Sequence, residues 1–238
     1  MKNNEIFGNI YRNKVWGEGS QASPLSGSGS DPKNAITYVN FVRDFISSRN
    51  ITSVVDVGHG DWQMWKDYSF SNVKYLGLDV AAGLSEDIER KFGNSLRKFQ
   101  YYDVESSNLP NADLLICKDV LQHLSRSDAK TLLAQMNQFK YLIICNDIYL
   151  IESIIFEVRN FLQLKERLRK ISKFQLPLLP YNRRNNSEIK SGDFRGIDLK
   201  RKPFRSAIKN YEIISIIDYD GPKRQGIKKR IYLLDRNL

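Results

Sequence analysis

Asp56, Asp79 and Asp103 close three successive strand-like runs, the first apolar and β-branched and leading directly into a glycine turn, Asp56-Val57-Gly58-His59-Gly60. Glycines in such a turn take backbone angles closed to other residues and let a ligand lie against the main chain. An acid at the end of a second strand, roughly 20 residues beyond the turn, suits bidentate acceptance from ribose hydroxyls. An acid after the third strand can accept from an adenine amino group, and Asp56 can orient an ammonium directly or through water. This combination fits a nucleoside attached to an amino acid better than a dinucleotide. The turn lacks the third glycine of G-x-G-x-x-G, and Trp62 and Met64 stand where a helix would have to pack against a pyrophosphate, so a nicotinamide cofactor is disfavoured. The phosphate-binding pattern G-x-x-x-x-G-K-[ST] is absent from the sequence.

Proton transfer points to the histidines, of which the chain has two. A histidine near its ordinary pKa is the usual base for a hydroxyl acceptor. His123, shortly after the fourth strand, faces the acceptor side and is the candidate base; His59, inside the glycine turn, is the weaker one. Asp119 joins His123 as the second catalytic candidate. Asp119 and the pair Asn146-Asp147 end the fourth and fifth strands, where oxygen ligands can also hold a divalent metal. With these groups alone and no diagnostic spacing, a metal is compatible but not favoured, and Asn146 reads as an acceptor contact. Arg195, in Gly192-Asp193-Phe194-Arg195-Gly196-Ile197-Asp198-Leu199, is the candidate for gripping an anionic acceptor, because its planar fork suits phosphate or carboxylate. Asp193 and Asp198 are candidates to accept from sugar hydroxyls.

These residues need a sheet edge to bring them together. Strands are predicted at 52–57, 73–78, 98–102, 112–117 and 141–145, the last ending in Asn146-Asp147. Helices are predicted at 32–49 (capped by Asp31 and begun by Pro32), 61–67, 84–92, 127–138 (begun at Ser127) and 151–171. Alternating strands and helices predict an α/β fold, a mostly parallel sheet with helices on both faces. The runs 211–219 and 226–234 are too close for a crossover and form an antiparallel hairpin. Residues 1–31 read as an arm that packs on the domain, since Phe7, Tyr11 and Trp16 supply burial that offsets ordering entropy. Its run Ser26-Gly27-Ser28-Gly29-Ser30 reads as a ligand lid.

The chain has 238 residues, 41% of them hydrophobic, which suits one domain over 32–238. No stretch approaches about 18 uninterrupted apolar residues, so no membrane span is expected. The N-terminus leads into no apolar signal core, and a cytoplasmic location is expected. Cys117 and Cys145 fall inside apolar runs and read as small buried hydrophobes. The net charge is +10. Residues 173–210 hold ten Lys or Arg against three acids, a basic insertion that favours an anionic acceptor. A nucleic-acid partner is less favoured, because neither an Asn-Pro-Pro-Tyr-like element nor a Lys-Asp-Lys-Glu set nor a known nucleic-acid module is found. A non-catalytic nucleotide-binding protein is the remaining alternative.

In order, Asp56-Val57-Gly58-His59-Gly60, Gly77-Leu78-Asp79-Val80, Tyr102-Asp103-Val104 and Asp113–Leu124 resemble the motifs of class I S-adenosylmethionine (SAM)-dependent methyltransferases. The resemblance spans about 50–235 and implies a Rossmann-like, seven-stranded, mostly parallel sheet with a C-terminal antiparallel hairpin. It implies cofactor contacts from Asp56, Gly58, Gly60, Trp62, Asp79, Val80, Asp103, Val104, Lys118 and Ser28. More narrowly, Gly60-Asp61-Trp62-Gln63, Asp119–Leu124, Gly192–Leu199 and Pro203-Phe204 are similar to small bacterial or viral methyltransferases of surface-polysaccharide synthesis. That implies O-methylation of a sugar or phosphorylated sugar. His59 departs from the pattern, since many relatives carry cysteine between the glycines. Methyl transfer asks chiefly for alignment, and positioning of this kind supplies about 7–11 kcal/mol.

Overall fold

Val54, Val55 and Val57 are β-branched and buried on both sides, the signature of a central parallel strand. The computed structural model describes residues 2–20, 23–68, 70–154, 184–224 and 226–236. It places that strand, β1 (Ser53–Val57), third in a seven-stranded sheet. The others are β2 (Lys74–Asp79), β3 (Arg97–Tyr101), β4 (Leu114–Lys118), β5 (Tyr141–Tyr149), β6 (Glu212–Tyr219) and β7 (Ile227–Asp235). The spatial order is β3-β2-β1-β4-β5-β7-β6. β1 to β5 are parallel, and β7 runs antiparallel to both β5 and β6. This is the Rossmann-like sheet with a closing hairpin that the strand pattern predicts. The order reverses between β1 and β4, so the crevice beyond their C-terminal ends is where a ligand binds in such folds.

Helix α1 (Asn3–Arg12) begins the chain, α2 (Pro32–Ser48) precedes β1, α3 (Ala82–Phe92) precedes β3 and α4 (Arg126–Gln135) precedes β5. Asp31 caps α2 by accepting from the Lys33 amide at 2.8 Å. Strand alternation divides the core in two. Val54, Ile116, Ile143, Cys145 and Ile231 face Tyr38, Val42 and Phe45 of α2, together with Trp65. Val55, Val57, Leu115, Cys117 and Ile144 face Leu132 and Leu133 of α4 together with Leu199 and Phe204. Both cysteines are free and buried, and burial pushes the Cys145 thiol up to about 12.

Some boundaries differ from expectation. β5 does not stop at Cys145, because β7 continues to pair with it as far as Tyr149↔Ile227. Asn146 and Asp147 therefore lie inside a ladder rather than at a strand end. The helix expected at 61–67 is a single 3₁₀ turn, Gln63–Trp65, entered through Trp62 in the left-handed conformation. Ser125, not Ser127, caps α4, its hydroxyl accepting from the Asp128 amide at 3.1 Å. Of the helix expected at 151–171, residues 151–154 are helical and the remainder lies outside the described residues, as does 173–183 of the basic insertion. Among the described residues no helix is long and apolar enough to cross a membrane.

The N-terminal stretch carries a helix that local pattern did not reveal. Phe7 of α1 is buried against the α4 face of the core, a contact worth about 1.5–3 kcal/mol. The Asn3 side-chain amide donates to Asp128 at 3.1 Å, fixing the helix to the first turn of α4.

Candidate active site

At the C-terminal ends of the strands lies a cleft of about 320 Å³, within the range of small-molecule sites. Gly58, Gly60, Asp79, Val80, Asp103 and Val104 line it beside β1–β3. Lys118, Asp119, His123 and Ser28 line it beside β4. Of the predicted site residues, these ten share one cavity.

The glycine turn is shaped by close approach. Gly58 has φ +80° and Gly60 φ +57°. A Cβ on Gly58 would lie 2.2 Å from a methyl of Val120, so both the angle and the space require glycine. Asp79 accepts from the Gly60 amide at 3.1 Å and from the Ala81 amide at 3.0 Å, which orients its carboxylate at the turn. Asp103 accepts from the Glu105 amide at 3.1 Å. His59 is pinned below: Nδ1 donates to the Gly60 carbonyl at 2.7 Å and Nε2 accepts from the Ser85 hydroxyl at 3.1 Å. Its pKa is lowered by burial, and these two bonds brace the turn.

Six predicted site residues lie elsewhere. Asp56 shares the alternation phase of Val54, so it points to the α2 side, where Tyr75 and Trp65 donate to it at 2.6 and 3.0 Å. Burial pushes its pKa up to about 7. Trp62 packs against Phe92 and Phe99 under the Arg97 guanidinium, away from the cleft. Arg195, the expected anion grip, is fully buried and donates to the carbonyls of Ser187 and Leu121 at 3.2 and 3.1 Å. Asp198 is buried and accepts from Ser153 and Tyr232. The exposed Asp193 carboxylate accepts from the Lys190 amide, while its backbone carbonyl reaches the site. Asn146 is buried in the sheet outside the cleft lining, and its side-chain amide has no hydrogen-bond partner. A loop residue with a suitable side chain is not thereby a site residue; the fold decides which way it faces.

Lys229, which motif reading passed over, organises the β4 side. Asp147 and Lys229 face each other in the β5–β7 register, and Lys229 Nζ lies 2.7 Å from Asp147 Oδ1. The same ammonium lies 2.5 Å from Asp119 Oδ1, and Lys118 Nζ lies 2.5 Å from Asp119 Oδ2. Arg224 closes the row at 3.3 Å from Asp147 Oδ2. Burial disfavours the charges, but the flanking lysines outweigh it and hold Asp119 well below the usual carboxylate range. Asp119 and then Asp147 likewise hold the Lys229 pKa up against burial. Asp119 thus reaches the cleft as an ionised partner of two ammoniums. These groups do not form the metal set considered above: both Asp119 oxygens are on lysines and Asn146 is turned away. A lysine in phase with Ile231 and Leu233 was the available signal.

His123 sits against Trp16, with ring centroids 4.9 Å apart, and against Phe194 at 5.9 Å. Its Nδ1 is 2.8 Å from the Asp193 carbonyl. A carbonyl only accepts, so Nδ1 carries the proton and Nε2 the lone pair in the neutral ring. Gln122 accepts the Asp147 amide at 2.8 Å through Oε1, which turns its NH₂ toward His123 Nε2, 3.3 Å away. Burial lowers the pKa of His123, keeping the ring neutral.

Residues of the arm cross the glycine turn. Ser26 accepts from the Asp61 amide at 2.7 Å, and the Leu25 amide donates to the Asp61 carboxylate at 2.6 Å. The Gly29 carbonyl accepts from Lys118 at 2.9 Å. Of the basic insertion, Arg201 pairs with Glu152 and Arg205 donates to the Ile208 and Tyr211 carbonyls. Arg195 is buried, whereas Arg184, Lys190, Lys200, Lys202 and Lys209 remain exposed.

No model of a known protein family and no curated protein matches this sequence. Solved structures do. The magnesium protoporphyrin IX methyltransferase of Synechocystis PCC 6803, with bound SAH (S-adenosylhomocysteine), is 15% identical, with 98% of this chain and 96% of that one covered and a TM-score of 0.59. A SAM-dependent methyltransferase of Leishmania major is 12% identical over 97% of this chain and 83% of its own, with a TM-score of 0.64. One from Clostridium acetobutylicum is 14% identical over 84% and 91%, with a TM-score of 0.54. The shared feature is the fold.

Proposed function

We propose that this protein is a SAM-dependent O-methyltransferase acting on a sugar hydroxyl or phosphorylated sugar of a surface glycan. The observation that carries the cofactor reading is the convergence of the Gly58–Gly60 turn, Asp79 and Asp103 on one cleft. Backbone at Gly58 and Gly60 admits close approach of a ligand, the Asp79 carboxylate accepts from ribose hydroxyls, and Asp103 accepts from an adenine amino group. Val80 and Val104 flank the adenine and Ser28 covers the cofactor from the arm. The solved methyltransferases of the same fold, two of them SAM-dependent and one holding SAH, favour this reading over a dinucleotide.

SAM supplies an electrophilic methyl group on a sulfonium. The chain's own contribution is to hold the acceptor in line, exclude water and remove the hydroxyl proton. With the acceptor hydroxyl in the place from which Gln122 Nε2 donates at 3.3 Å, His123 Nε2 takes that proton, while the Asp193 carbonyl fixes the tautomer and Trp16 and Phe194 fix the ring plane. Lys118 and Lys229, held by Asp119, place positive charge beside the acceptor oxygen as it becomes anionic. The glycan assignment rests on the motif resemblance. The test is SAH release from SAM with phosphosugars, nucleotide sugars and RNA offered separately. Sugar-stimulated release supports the proposal; release stimulated by RNA alone would move the acceptor to nucleic acid.

A further inference from the structure

The charged row Lys118–Asp119–Lys229–Asp147–Arg224 contains three cations and two carboxylates, so it carries one uncompensated positive charge. That charge is available at one end of the row. Side chains of Lys118 and Lys229 are 2% and 4% exposed, whereas that of Arg224 is 47% exposed. Arg224 lies on the connector between β6 and β7, lines the cleft, and stacks its guanidinium over the Phe194 ring at 5.5 Å. Of its five N–H donors the bond to Asp147 uses one, and stacking on Phe194 leaves the edges of the fork open. Phe194 in turn packs on His123, which packs on Trp16. An aromatic wall thus leads from the arm, past the candidate base, to a guanidinium with unspent donors.

We propose that Arg224, backed by Phe194 and Lys229, is the anion-binding subsite of the acceptor pocket and takes a compact oxyanion, phosphate or carboxylate, attached to the substrate. The subsite deepens the methyltransferase reading and, for its placement relative to His123, rests on it. It is also the replacement for Arg195, whose guanidinium is fully buried and turned to backbone carbonyls. Arg224 selects for charge: a neutral acceptor leaves the positive end of the row uncompensated, and a singly charged one neutralises it.

Protein labelled with ¹⁵N-arginine, with SAH present, is titrated with inorganic phosphate and separately with acetate, following arginine side-chain resonances. Both anions are expected to shift a resonance that is missing from Arg224→Gln, and the affinity in that variant to fall at least tenfold. Arg224→Lys, which keeps the charge and loses the fork, should bind several-fold more weakly than wild type. Arg43→Gln, a remote surface variant, should bind as wild type does. Tighter binding of phosphate assigns a phosphorylated acceptor, and tighter binding of acetate a carboxylated one. Unchanged anion affinity in Arg224→Gln, or no arginine shift in wild type, overturns the subsite. Affinity for SAH, measured on the same samples, should be unchanged by Arg224→Gln. Failure of wild type to bind SAH would strike the methyltransferase reading while the anion titration still decides the subsite.

Discussion

His123 donates from Nδ1 to the main-chain carbonyl of Asp193, 70 residues later in the chain, at 2.8 Å. This bond fixes the tautomer that leaves Nε2 as the proton acceptor, and it uses the backbone of Asp193, not its carboxylate. His123→Ala should therefore lower kcat by about 10²–10⁴-fold while leaving SAH affinity within a few-fold of wild type. The neutral ring is the active form, and burial sets its pKa below 6.5. The wild-type rate should rise with pH through that lower value and stay level above it. Stopped assays from pH 5 to 8 check both, and an unchanged kcat in His123→Ala would remove His123 as the base.

Lys229 is the single cation between the buried Asp147 and the partly buried Asp119, and removing one member of a buried ion pair costs about 3–5 kcal/mol. Lys229→Met should be destabilised by that order at pH 7 in urea unfolding. The sign with pH follows from Asp119. Its folded pKa is depressed, so its contribution in wild type is present above the ordinary carboxylate range and is lost only as pH falls toward the depressed value. In Lys229→Met Asp119 loses one of the two ammoniums that hold it ionised, and the deficit relative to wild type should shrink at acid pH as that carboxylate protonates.

Asp56 behaves in the opposite sense. Its folded pKa is raised by burial to about 7 from 3.8, so the folded state holds the proton, and the associated stability is full below pH 3.8 and lost as pH rises through 7. The loss is at most about 4 kcal/mol. Asp56→Asn removes the titration, and its melting temperature should gain on wild type between pH 5 and pH 8, by about 2–4 °C per kcal/mol. A gap that is constant with pH would contradict the buried, protonated carboxyl.

Gly58→Ala sets a methyl against Val120 at φ +80°. SAH affinity should fall at least tenfold. Adding Val120→Ala removes the clash but not the backbone strain, so recovery should be partial. Full recovery would assign glycine's role to space alone.

Much of the cofactor side was legible from residue order, because strand-end acids in a parallel sheet share an edge whatever the loops do. Asp79 and Asp103 are there for that reason. Asp56 was misplaced because alternation puts it in phase with Val54, facing Trp65 and Tyr75, and a motif letter does not encode a face. Asn146 was misplaced because β7 extends β5 beyond the expected end. Lys229 was missed since its importance depends on register across β5–β7, and Arg224 since it reaches Asp147 from a connector 77 residues away. Arg195 was chosen for its chemistry, yet a loop arginine folds inward when carbonyls are there to take its donors.

What the Gly58–Gly60 cleft holds decides the cofactor. Isothermal titration calorimetry of wild-type protein with SAM and SAH should give saturable heats at one site, lost in an Asp79→Ala variant that retains its fold by circular dichroism. Absence of heat with either ligand, or equal binding of NAD, would contradict it.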